Sequence, residues 1–123
     1  MIKFILDPRT GIPFYRQIID QIKFGIASGR LQVGEQLPTV RALAVDLKVN
    51  LNTVSKAYKE LEIQQVLETQ LGTGTFISKS GFNLSDKEKK NKLEQIIQEF
   101  LSIGYSYGFT KQDIINELNK QKS

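Results

Sequence analysis

Asn52, Lys56 and Lys59 stand four and three residues apart in a segment whose apolar residues keep the same rhythm. On a helical wheel with Val54 at the origin, Ala57, Tyr58 and Leu61 fall within about 60° of it. Asn52, Lys56 and Lys59 fall within about 40° of the opposite pole on the same geometry. One face is thus apolar, and the other carries an amide and two ammonium groups flanked by Thr53 and Ser55. That set suits a DNA major groove. Asn can read adenine through two hydrogen bonds, Thr and Ser can bond base edges or phosphates, and Lys can neutralise phosphate oxygens. The start of such a helix, near Asn52 and Thr53, adds backbone N–H donors and the positive end of the helix dipole. The competing reading is an ordinary solvated helix face.

Arg41 lies a few residues upstream, just after Pro38-Thr39. Its guanidinium could reach a phosphate, or it could pair within the domain with Asp46 or Glu35. Other chemistry is poorly provided for. The chain has no His and no Cys, so the commonest general base, the commonest metal ligand, thiolate nucleophiles and disulfides are all missing. Glu60 and Glu62 share a segment but stand two apart, so they do not face each other on a helix. Glu94 and Glu99 are mismatched in the same way. Gly72-Thr73-Gly74-Thr75 lacks the Lys-Ser/Thr ending and following helix of a phosphate loop, and reads as a tight hairpin tip. No enzyme activity, metal site or cofactor is expected.

The elements that must position these residues follow from hydrophobic period and punctuation. Residues 2–6 are a short run rich in Ile and Phe, read as a strand. Asp7-Pro8-Arg9-Thr10-Gly11 turns the chain. Pro13 opens a helix whose stripe is Phe14, Ile18, Ile19, Ile22 and Ile26, ending near Gly29. Residues 31–37 read as a loop. Thr39 caps a second helix with Val40, Leu43, Ala44 and Leu47 on one face. A tight turn at Lys48-Val49-Asn50 leads to the third helix, about 52–64. Residues 67–69 and 75–77 are two strands of a hairpin. After a Ser80-Gly81 hinge, Ser85 and Glu88 have capping-box spacing and open a fourth helix. Its stripe is Leu93, Ile96, Ile97, Phe100 and Leu101, and Gly104 is expected to break it. Thr110 and Asp113 form an acidic variant of the capping box before a fifth helix carrying Ile114, Ile115 and Leu118.

The fold class is therefore mostly α with a small β wing: a winged helix–turn–helix in residues 1–78, followed by a two-helix arm in 79–123. An arm that small rarely folds alone, and a second copy of the chain is the simplest cover for its stripes. Leu93, Ile96, Ile97, Phe100, Leu101, Ile114 and Leu118 are the expected dimer contacts. Among 123 residues the formal net charge is +4. It divides evenly, because nine basic and seven acidic groups lie in 1–78 and eight and six in 79–123. Bulk charge does not choose a binding end, so placement must. No apolar run reaches the 18 or so residues of a membrane span, and the N-terminus is soon acidic for a signal peptide. A cytoplasmic protein without a membrane partner is expected. A small-molecule effector would find its place at the aromatic bend of Phe100, Tyr105, Tyr107 and Phe109.

Four segments in register resemble the GntR family of bacterial transcription regulators: Pro13-Phe14-Tyr15-Arg16-Gln17-Ile18; Gly29 through Ala44, with Leu37-Pro38-Thr39-Val40-Arg41 at its heart; Val49 through Leu61; and Gly72-Thr73-Gly74-Thr75-Phe76-Ile77. The short two-helix tail is similar to the YtrA-type subgroup. That resemblance implies a homodimeric repressor binding double-stranded DNA at a palindromic operator, often of an ABC-transporter operon, with the tail as dimerisation arm. It implies duplex contacts at Arg41, at Asn50, Asn52, Thr53 and Ser55, and at a wing tip of Leu71, Gly72 and Thr73. Leu51 departs from the Arg or Pro common in the family, and Leu71 and Thr73 replace common basic residues. The loss of cations leaves Lys56 and Lys59 more of the salt-dependent binding. The alternative of another class is a protein-interaction module that kept the scaffold and no longer reads operators.

Overall fold

The computed structural model describes residues 2–79 and 86–121. The chain divides into two compact units, Met1–Asn83 and Leu84–Ser123. The first unit contains α1 (Phe14–Ala27), β1 (Gln36–Leu37), α2 (Val40–Leu47), α3 (Leu51–Ile63), β2 (Leu67–Gln70) and β3 (Gly74–Ile77). The second contains α4 (Asp86–Ser106) and α5 (Lys111–Lys120). This is a winged helix–turn–helix followed by two helices, as the periodicity predicts.

The core of the first unit is built from the expected stripes. Ile18, Ile19 and Ile22 of α1, Leu43 and Ala44 of α2, and Val54, Ala57, Tyr58 and Leu61 of α3 are all buried. Leu31, Leu37, Val66, Leu67 and Ile77 close the same cluster from the loops and sheet. Burying a side chain of this size contributes about 1.5–3 kcal/mol. The helix–turn–helix is held locally as well. The Thr39 hydroxyl accepts the Ala42 N–H at 3.0 Å to cap α2. Lys48 ends it in the left-handed region at φ 58°, and the Val49 N–H returns to the Ala44 carbonyl at 3.0 Å. Asn50 caps α3, which begins at Leu51, one residue before the predicted start.

Two expectations about strands fail for identifiable reasons. Residues 2–6 form no strand. Two side-chain amides on α1 take the part of a partner strand. Gln21 accepts the Ile5 N–H at 3.0 Å and donates to the Ile5 carbonyl at 2.6 Å. Gln17 treats Asp7 alike, at 2.9 Å in both directions. Backbone polar groups must be paired, and these amides pair them without a sheet. Conversely, Gln36 and Leu37, read as loop, form β1. It lies antiparallel to β3 with Gln36 opposite Phe76, giving the sheet order β1-β3-β2. A two-residue strand is too short for any alternation to show.

In the second unit Gly104 does not break the helix; α4 runs on to Ser106. A Cβ at Gly104 would stand 2.6 Å from Ile114 Cδ1, so this glycine admits α5 against α4 instead of ending α4. The turn closes through the Phe109 N–H to the Gly104 carbonyl at 3.2 Å. The predicted capping box is present: the Asp113 N–H donates to Thr110 Oγ1 at 3.1 Å, and the Thr110 N–H to Asp113 Oδ2 at 2.8 Å. The Ser80-Gly81 hinge and the Ser85 cap fall outside the described residues. Among the described residues no helix is long and apolar enough to cross a membrane.

Candidate nucleic-acid interface

The outer face of α3 is where the sequence places it. Asn52, Lys56 and Lys59 are exposed, while Val54, Ala57, Tyr58 and Leu61 on the opposite face are buried. Asn52, Ser55, Lys56 and Lys59 line one shallow surface depression, and Glu60 and Ile63 complete it. Thr53 is half-buried beside that depression and does not line it. Glu60 brings a carboxylate that could accept from the exocyclic amine of cytosine. On the same helical wheel Ile63 falls at the pole opposite Val54 and Glu60 about 60° from it, so the period alone puts both beside the polar set, although their residue types drew no attention to them.

Lys56 has a partner that sequence reasoning missed. Its Nζ lies 4.0 Å from the centre of the Tyr15 ring on α1. An ammonium over an aromatic face is attracted by the ring quadrupole, so the charge is held in place on this surface. The signal was present in the Pro13-Phe14-Tyr15 run, but no local pattern connects residue 15 to residue 56.

The amino end of α3 is less generous than expected. Asn50 Oδ1 accepts the Asn52 N–H at 2.8 Å, and the Asn50 carbonyl accepts the Thr53 N–H at 3.0 Å. Both donors assigned to a ligand are already bonded within the chain. The dipole remains, and so does the amide nitrogen of Asn50.

Arg41 is exposed in the first turn of α2 and makes no ion pair among the described residues. The buried Tyr58 hydroxyl donates to the Pro38 carbonyl at 2.8 Å, which ties α3 to the segment that leads into α2, three residues before Arg41. Burial pushes the Tyr58 hydroxyl well above the usual tyrosine range.

The wing projects Leu71, Gly72 and Thr73 into solvent, with Leu71 100% exposed. Gly72 turns with φ 77°. The Thr73 N–H closes the turn on the Gln70 carbonyl at 3.0 Å.

The second unit has a different surface. None of its described residues is buried. Phe100, Ile103, Tyr107, Phe109, Ile114 and Leu118 line a groove between α4 and α5. Of the four aromatics expected at the bend, three meet there; Tyr105 is half exposed and does not line it. Leu93, Ile96 and Ile97 continue the apolar stripe along α4, also exposed, and Leu101 is half-buried.

A helix–turn–helix with an adjacent three-stranded wing and a polar outer face on its second helix defines a winged-helix protein of the nucleic-acid-binding kind. The profile described as "Bacterial regulatory proteins, gntR family" matches residues 14–77. The chain is 36% identical over 118 residues to the HTH-type transcriptional repressor YtrA of Bacillus subtilis (strain 168), covering 96% of this chain and 90% of that protein. Among solved structures, a transcriptional antiterminator from Listeria monocytogenes EGD-e superposes with a TM-score of 0.74 at 34% identity, covering 97% of this chain and 89% of the other. AraR(DBD) in complex with operator ORE1 superposes with a TM-score of 0.52 at 27% identity, over 63% of this chain and 95% of that one. The chain belongs to the GntR family of bacterial regulatory proteins, in its YtrA-type subgroup. Its class is that of a DNA-binding transcriptional regulator, not an enzyme.

Proposed function

We propose that the protein is a cytoplasmic homodimeric repressor. Residues 1–78 bind double-stranded DNA and residues 79–123 hold two copies together, so that the pair reads a palindromic operator. The observation that carries the duplex contact is the outer face of α3, where Asn52, Lys56 and Lys59 stand exposed opposite a buried apolar face. Asn52, Thr53 and Ser55 face base edges in the major groove. Arg41, Asn50, Lys56 and Lys59 engage phosphates, and Leu71, Gly72 and Thr73 approach the minor groove. The AraR complexes with operator DNA, formed by a protein of the same fold, support that placement.

The second copy is argued from the arm. Leu93, Ile96, Ile97, Phe100 and Leu118 are all exposed in a unit with no buried residue among those described. Apolar patches of this kind mark interfaces, and two antiparallel helices bury them best against two more. A two-fold dimer makes the half-sites two-fold related, with centres about 34 Å or a multiple of it apart. The YtrA-type resemblance points to a transporter-type operon as the gene set controlled.

Selection of bound sequences from a random duplex library tests this reading. The expected result is enrichment of an inverted repeat bound by two chains. Enrichment of no sequence would overturn it. The fully exposed apolar tip residue Leu71 favours the second reading, a protein-interaction module. In that case retention on DNA would not fall as salt rises, whereas counterion release makes it fall steeply for a phosphate-binding dimer.

A further inference from the structure

β1 has a task beyond closing the sheet. Gln36 sits opposite Phe76 on β3, and its side-chain amide Nε2 donates to the Thr73 carbonyl at 3.0 Å, 37 residues away in sequence. Thr73 belongs to the turn of the wing, where its own N–H is bonded to the Gln70 carbonyl. Gly74 follows with φ 140°, and a Cβ built there would overlap Gln36 Nε2. The glycine therefore supplies both a backbone conformation that side chains disfavour and the space through which the amide reaches the turn. On the far side, Leu71 is bare to solvent. Apart from Gln36, the described bonds at this turn come from the hairpin's own strands, including Thr69 and Thr75 with hydroxyls 3.5 Å apart.

We infer that Gln36 is a positioning residue for DNA binding: it braces the wing turn from outside the hairpin, so that Leu71–Thr73 meets the duplex already ordered. The inference rests on the wing reading of the proposed function. A two-stranded hairpin alone is marginal in water, and exposed loop tips move on nanosecond to microsecond scales. An unbraced tip must be ordered at the moment of binding, which lowers affinity by roughly three- to tenfold for the side chains concerned. A bond from the third strand moves that ordering to the folding step. The wing tip has no basic residue to gain affinity by charge, so a fixed shape is what it has to offer a minor groove.

The test is a binding cycle on the full-length protein with the duplex enriched from the random library. Gln36→Met keeps the length of the side chain and loses the donor; Gln36→Ala loses both. A tip variant, Leu71→Ala with Thr73→Ala, removes the contacting side chains. Either Gln36 variant is expected to bind roughly three- to tenfold more weakly with an unchanged denaturation midpoint. Combined with the tip variant, it should weaken binding no further than the tip variant alone, because both act through the same contact. Wild-type affinity for Gln36→Met overturns the inference, and so do losses that add fully with those of the tip. If the tip variant itself binds like the wild type while Asn52→Ala still weakens binding, the wing reading fails and takes this inference with it, leaving the α3 contact standing.

Discussion

The Tyr58 hydroxyl reaches the Pro38 carbonyl at 2.8 Å from a side chain only 1% exposed. This bond joins the buried face of α3 to the residue before the α2 cap. It ties α3 to the chain that enters α2, the helix whose first turn carries Arg41. Removing the hydroxyl in Tyr58→Phe leaves that carbonyl without its partner and is expected to cost about 0.5–1.5 kcal/mol in urea unfolding. The pH dependence has a definite sign. Burial raises the Tyr58 pKa in the fold above its ordinary value of 10.0. The folded state therefore keeps this proton where the unfolded state has lost it. The contribution is whole below pH about 10 and is lost as the pH rises beyond that. The stability gap between wild type and Tyr58→Phe should narrow above pH about 10; a gap that widened there would contradict the burial argument.

Lys56 and Tyr15 form a cation–π pair at 4.0 Å. A double-mutant cycle with Lys56→Ala and Tyr15→Leu is expected to show a coupling of about 0.5–1 kcal/mol in folding stability, the range for exposed pairs. Additive losses would mean that the two side chains do not interact in solution.

Lys59 differs, since no ion pair or aromatic contact holds it among the described residues. Lys59→Ala should weaken binding to all duplexes alike and reduce the slope of log affinity against log salt by roughly one. A loss confined to one sequence would instead make Lys59 a base reader.

Gly104 offers a test of the arm. Ala in place of Gly in a helix ordinarily gains about 1 kcal/mol. Here a Cβ meets Ile114 at 2.6 Å, so Gly104→Ala should gain less than that in thermal unfolding. Adding Ile114→Val, which shortens the opposing side chain, should recover the difference beyond its own separate effect.

Gln17 is buried and bonded to Asp7 through both ends of its amide. Gln17→Ala strands those groups and is expected to cost about 1–3 kcal/mol, with faster hydrogen exchange at the Asp7 amide as the local signature. Unchanged exchange there would show that the segment is held by Phe4 and its apolar contacts alone.

What the sequence conveyed and what it withheld divide along a physical line. The α3 face was legible because the helical period places residues 52, 56 and 59 opposite 54, 58 and 61 whatever else the chain does. The caps at Thr39 and Thr110 were legible because they act within three residues. The composition of residues 2–6 suits a strand, but the amides that bond the backbone of Ile5 and of Asp7 just after it sit 16 and 10 residues away on α1. β1 was hidden by its length. Gly104 was misread because a glycine that ends a helix and one that admits a neighbour look alike until the neighbour is in place. The Lys56–Tyr15 pair and the Gln36 brace exist only through tertiary approach.

The most direct measurement is the affinity ratio between the library-selected duplex and a scrambled duplex of equal length, at one fixed salt concentration, for wild type and Asn52→Ala. If the amide on α3 reads a base in the major groove, the wild-type ratio should be about 1,000 or more, and Asn52→Ala should lower it by about 1–3 kcal/mol. A wild-type ratio near one, or an Asn52→Ala ratio equal to that of the wild type, would contradict the account.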